Sequence, residues 1–111
     1  MSVTFPTANP LVLSTSTQTF LTVPSTSGLV ARDLVVKITN STAATRLVSV
    51  YGVPSGGTAS TGNAVAYEMS VPPKDYVLIP VGRLGASGTV QAAADATGLL
   101  ITLESGNYYT P

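Results

Sequence analysis

Leu34-Val-Val-Lys-Ile-Thr-Asn-Ser-Thr42 is the stretch whose reading decides the fold. Leu34, Val36 and Ile38 fall on one side of an extended chain and Val35, Lys37 and Thr39 on the other, the period of two that marks a half-buried strand. Asn40, Ser41 and Thr42 then supply turn chemistry before residues 46–53 run on in β-branched and aromatic types, so the two segments read as a hairpin.

The same punctuation continues downstream. Residues 54–63 form a loop of small and polar residues with Gly56, Gly57 and Gly62, after which Val65, Tyr67, Met69 and Val71 alternate with Ala64, Ala66, Glu68 and Ser70. Pro72, Pro73, Lys74 and Asp75 break the chain, residues 76–81 read as a strand, and residues 82–88 as a glycine-rich turn. Two further strands, 89–93 and 99–104, flank a turn at 95–98, and no segment carries a helical period. Six strands at such spacing predict an all-β fold, an antiparallel two-sheet β-sandwich, for which jelly-roll and immunoglobulin-like connections both remain open. The expected core is Val36, Ile38, Val48, Val50, Val65, Tyr67, Met69, Leu78, Leu99, Ile101 and Leu103.

Upstream, residues 1–31 are uncharged and rich in Ser, Thr and Pro. Pro6, Pro10 and Pro24 bar a long helix, so this segment is expected as an extended N-terminal arm with a first strand around 17–23. Arg32 and Asp33 mark the passage from arm to a sandwich domain at 32–106, and residues 107–111 form a tail. Phe5, Pro6, Pro10 and Leu11 of the arm, and Tyr108 and Tyr109 of the tail, are expected to anchor on a neighbouring protein, tyrosine being enriched at interfaces. Arg46 and Arg83, each beside a turn, are the charged candidates for the same role.

Charge is scarce: five basic and five acidic residues among 111, none before Arg32, with a net of zero. A chain that works alone in solution usually keeps about a quarter of its residues charged, so this exterior points to a molecule covered by other protein. Scattered single charges make no phosphate-neutralising stripe, and nucleic-acid binding is not expected. Apolar residues make up 44%, which argues for a folded domain, and no uncharged apolar run approaches the roughly 20 residues of a membrane helix. Residues 1–10 carry neither a basic nor an apolar signal region, so synthesis and first use in the cytoplasm are expected.

Cysteine and histidine are absent, which removes disulfides, thiolate chemistry, imidazole bases and the usual zinc or haem ligands. The carboxylates Asp33, Glu68, Asp75, Asp95 and Glu104 each fit a turn or an outward strand position better than a catalytic pair. Gly56-Gly57 and Gly82-Arg83-Leu84-Gly85 lack the Lys-Ser or Lys-Thr of a phosphate cradle. No catalytic residue, cofactor or metal is therefore expected. Carbohydrate binding is the rival function, with Tyr51 and Tyr76 as exposed platforms and Tyr67 assigned to the core.

Leu34-Val-Val-Lys-Ile-Thr-Asn-Ser-Thr42, Leu47-Val-Ser-Val-Tyr-Gly-Val-Pro-Ser-Gly-Gly57, Val71-Pro-Pro-Lys74 and Leu99-Leu-Ile-Thr-Leu-Glu-Ser-Gly106 together resemble the small β-sandwich virion proteins of tailed bacteriophages. The resemblance covers 34–106 and is greatest to capsid decoration, or cement, proteins. It implies a structural virion protein on the capsid exterior that clamps neighbouring major capsid subunits, with a neck, tail or fibre-associated adhesion module as the alternative. A dimer or trimer at local symmetry axes is expected, since a neutral sandwich with an open sheet edge tends to pair.

Overall fold

The computed structural model describes residues 2–111; Met1, the first residue of the expected arm, lies outside the described residues. The strands are β1 (Ser2–Thr4), β2 (Leu11–Val12), β3 (Gln18–Thr22), β4 (Val30–Asn40), β5 (Arg46–Val53), β6 (Ala64–Val71), β7 (Asp75–Gly85), β8 (Thr89–Ala94) and β9 (Leu99–Thr110), with a 3-10 turn at Thr61–Asn63. They form two antiparallel sheets packed together. One runs β9-β4-β7, with β1 and β2 both along the free side of β9, and the other runs β3-β8-β5-β6.

The connections follow from the pairs. β2 pairs with β9, β3 with β8, β4 with β7 and β5 with β6, so the chain is one long antiparallel ribbon folded at the β5–β6 hairpin. Winding that ribbon brings β4 against β9 and β5 against β8, which folds it into the two packed sheets, of five and four strands, of a jelly roll. Of the two topologies open from the sequence, the jelly roll is adopted.

The expected hairpin between β4 and β5 is instead an arch that carries the chain from one sheet to the other. Asn40, fully buried, holds it: its Nδ2 donates to Ala44 O at 2.8 Å and Val71 O at 3.0 Å, while Thr42 N and Thr42 Oγ1 donate to its Oδ1 at 3.0 and 2.6 Å. Those bonds satisfy backbone groups that a hairpin ladder would otherwise have paired. The Asn-Ser-Thr signature marks a bend, but the hairpin pairing expected across it is wrong: β4 pairs with β7 and β9, and β5 with β6 and β8 in the other sheet.

Arm and tail are corrected too. Residues 2–4 pair with 108–110 of β9, β2 pairs with 100–101, and β3 lies on β8, so 2–31 contributes strands to both sheets. Leu13, Phe20, Leu21, Val23 and Leu29 enter the core, where their burial holds the segment in place. Arg32 and Asp33 are not a junction but a bulge inside β4, with Asp33 at a φ of 57° and the register shifting between Ala31 and Leu34. Likewise β7 continues through Gly82, at a φ of 88°, to Gly85 instead of turning at Gly82.

Val36, Ile38, Val48, Val50, Leu99 and Ile101 are buried as expected, and Leu103 packs partly against them. Val65, Tyr67, Met69 and Leu78 are not core: they are 38, 54, 41 and 47% exposed. In β7 the inward set is Val77, Ile79 and Val81, the phase opposite to Leu78. In β6, Glu68 takes a φ of 49° and inserts an extra residue opposite Ser49, whose Oγ accepts from Glu68 N at 3.0 Å. That bulge breaks the alternation, and the strand, lying at the sheet edge, has no further neighbour to cover Val65, Tyr67 and Met69.

Candidate functional site

Strand register sorts the side chains of the first sheet. Because Ala31, Val36, Ile38, Ile79, Leu84, Leu99, Ile101 and Tyr108 point into the core, their neighbours in each strand make up the outer face. Across that face Val12, Leu100, Thr39 and Tyr76 form one row, Thr102, Lys37 and Leu78 the next, then Val35 with Pro80, and at the far end Val3, Tyr109 and Val30. Val3, Val12, Tyr76 and Leu78 are about half exposed. No other layer covers them.

Two cations lie on this face, and both rest on tyrosines. Lys37 Nζ is 4.5 Å from the centroid of the Tyr76 ring, and Arg32 Cζ is 5.3 Å from that of Tyr109. Each contact is worth about 0.5–1 kcal/mol at an exposed site and lays a long side chain flat along apolar surface. The face therefore combines apolar rows with two cations and, beyond Thr102 on the outward side of β9, the exposed carboxylate of Glu104.

The expected interface residues divide. Phe5 and Pro10 are exposed, whereas Pro6 beside Phe5 is buried and Leu11, opposite Ile101, packs against the core. Arg83 is exposed. Arg46 is half-buried opposite Val71, with its Nε enclosed and lacking a hydrogen-bond partner. Tyr108 belongs to this molecule's own core at 8% exposure, and burial raises its phenol pKa above the ordinary value. Tyr109 is half-buried beneath Arg32. Of the three tyrosines weighed for sugar binding, Tyr51 is half-buried, while Tyr67 and Tyr76 are exposed.

Hollows are small. Leu47, Ser49, Glu68, Ala93, Ala94 and Asp95 line one of about 120 Å³, and Gly28, Val30, Arg32, Tyr109, Thr110 and Pro111 line another of about 190 Å³. Both fall below the roughly 300–1,000 Å³ of small-molecule sites. Asp95 is engaged structurally, its Oδ1 accepting from Leu47 N at 3.1 Å. Among the described residues no three of Asp, Glu, His or Cys gather as a metal site would require, and no helix is long and apolar enough to cross a membrane.

Sequence reasoning missed Leu78 and Val12 as surface residues and gave Tyr67 to the core. The available signal was the run Tyr76-Val-Leu-Ile-Pro-Val81, apolar at every position, which is what a strand with two dry faces looks like.

No protein-family model, curated protein or solved structure matches this chain.

Proposed function

We propose that this chain is a non-enzymatic structural protein that works by laying the outer face of its first sheet on an assembled protein surface, as a capsid decoration or cement protein does on neighbouring major capsid subunits. The observation that carries the reading is the uncovered apolar face of Val12, Val35, Tyr76, Leu78 and Leu100, in a chain with only ten charged residues. Exposed contiguous apolar surface of this kind marks an interaction site in a soluble protein. Jelly rolls recur in viral capsid domains and in lectins, which supports the reading by analogy of fold.

The mechanism is linkage. A protein that binds the assembled lattice and not its free subunits stabilises assembly by its own binding free energy, repeated at every site. A flat sheet face suits that task because the contact spans a junction between subunits and needs no chemistry.

The sugar-binding alternative has one observation in its favour, the exposed Tyr76 ring, and one against, since Lys37 already occupies the space above that ring. The test is co-sedimentation with emptied capsid shells of the virus that encodes the chain. Wild type is expected to pellet with the shells, and Leu78→Asp is expected to stay in the supernatant while melting normally. Equal pelleting of the two would overturn the docking face, and a saturable glycan-array signal lost in Tyr76→Ala would favour adhesion.

A further inference from the structure

Asn40-Ser41-Thr42, which opens the arch between the two sheets, is also an Asn-x-Thr sequence, the acceptor pattern for N-linked glycosylation. It is the single such pattern in the chain, because Asn9, Asn63 and Asn107 are followed by Pro10-Leu11, Ala64-Val65 and Tyr108-Tyr109. The glycan is carried on the amide nitrogen, so acceptor sites of folded proteins lie on surface loops. Here the nitrogen lies in the interior.

Three observations place it there. Asn40 has none of its surface exposed, and its backbone is paired on both sides, with Asp75 of β7 and Leu99 of β9. Its side chain crosses to the other sheet: Nδ2 donates one hydrogen to the carbonyl of the buried Val71 at 3.0 Å and the other to Ala44 O at 2.8 Å, so both amide hydrogens are engaged. The arch is also closed over. Lys74 donates from its backbone N to Thr42 O at 3.2 Å and from Nζ to Ser41 O at 2.7 Å. Gly98 packs so closely on the arch that a Cβ added to it would meet Thr42 Cγ2 at 2.7 Å.

We infer that Asn40 is an acceptor for N-glycosyl transfer in the unfolded chain alone, and that the glycan and the jelly roll exclude each other. In the transfer, Nδ2 forms a bond to the anomeric carbon of the first sugar as that carbon's bond to the phosphate oxygen of a polyprenyl-diphosphate-linked oligosaccharide breaks. The nitrogen gives up one proton and the lipid diphosphate leaves. The substituted nitrogen keeps one hydrogen, so either Val71 O or Ala44 O loses its donor, and the sugar ring needs space that the arch and β6 already fill. An unpaired buried carbonyl and an overfilled interior both oppose folding. Order therefore decides the outcome: a chain that folds first is refractory, and a chain glycosylated first does not close its arch. The residues that suit the arch are thus a liability wherever nascent chains meet a glycosyl transferase.

The inference is independent of the docking face and of capsid attachment. Its test uses the full chain, a eukaryotic oligosaccharyltransferase and the lipid-linked oligosaccharide, read by mass. Folded wild type should gain nothing. Ile79→Asp, unfolded by a buried carboxylate, should gain one glycan, and should gain none once Thr42→Val is added to it. A glycan on folded wild type, or none on unfolded Ile79→Asp, would overturn the proposal. For the exclusion itself, wild type is translated into microsomes behind a cleavable leader and then treated with protease. The glycosylated fraction should be degraded and the unmodified fraction should resist, and blocking transfer with a competing acceptor tripeptide should move the whole population into the resistant fraction. Absence of a glycosylated fraction, a glycosylated fraction that resists protease, or chains that stay degradable when transfer is blocked would each refute it.

Discussion

Gly106 is the residue at which backbone and core meet most tightly. Its φ is +148°, and a Cβ placed there would lie 2.6 Å from Cδ2 and 3.3 Å from Cα of the fully buried Leu34. Gly106→Ala should lower stability by about 2–4 kcal/mol, combining backbone strain with overpacking. Gly56, also left-handed but facing open space, should lose only about 1 kcal/mol as Gly56→Ala, so urea midpoints of the two variants separate the packing effect from the backbone effect. Tyr108 adds a pH dependence. Burial holds its phenol above the ordinary 10.0, so as pH climbs past 10 the unfolded chain gives up this proton while the folded chain keeps it. The folded state then binds more protons, and stability falls with rising pH; the contribution is whole below about pH 10. Urea midpoints taken upward from neutral pH should fall more gently for Tyr108→Phe than for wild type, and parallel curves would refute the assignment.

At the scale of the element, β7 shows what alternation can and cannot decide. Leu78 and Ile79 are neighbours of similar size, yet one is 47% exposed and the other 2%. Ile79→Asp should abolish folding, since it buries an unpaired carboxylate, whereas Leu78→Asp should change stability by no more than about 0.5 kcal/mol. Circular dichroism melting of the pair checks the phase directly, and it reverses the sequence-based assignment of Leu78 to the core. The existence of β4, β5, β6, β8 and β9 was legible because apolar and polar positions alternate there or β-branched residues cluster. Phase was lost where alternation fails for a physical reason: β7 is apolar on both faces, and the β6 bulge is made by a glutamate, which gives no glycine signal. The Lys37–Tyr76 and Arg32–Tyr109 contacts were illegible because they depend on strand register, and register is fixed by winding the whole ribbon.

For the whole molecule, the jelly roll brings distant parts of the chain together: residues 2–4 lie on 108–110, and among successive strands the hydrogen-bonded pair is β5 with β6, joined through residues 54–63. Partners so far apart must close large loops before they gain contacts, so folding on the millisecond-to-second scale of β-sandwiches is expected. The same winding changes what the amino-terminal segment is for. Read as a free arm, residues 1–10 would be removable without harm to the fold. In the ribbon residues 2–4 pair along β9 and Pro6 is buried, so loss of residues 2–10 leaves the 108–110 stretch of β9 as an unprotected edge beside the buried Tyr108. Deleting residues 2–10 should therefore lower the melting temperature, exposing apolar surface and an unpaired edge that invites aggregation. Melting followed by absorbance and light scattering distinguishes the two roles: a truncated chain that melts with the full-length protein and stays monodisperse would make the segment an appendage, while early melting with scattering makes it the outermost strand of the roll.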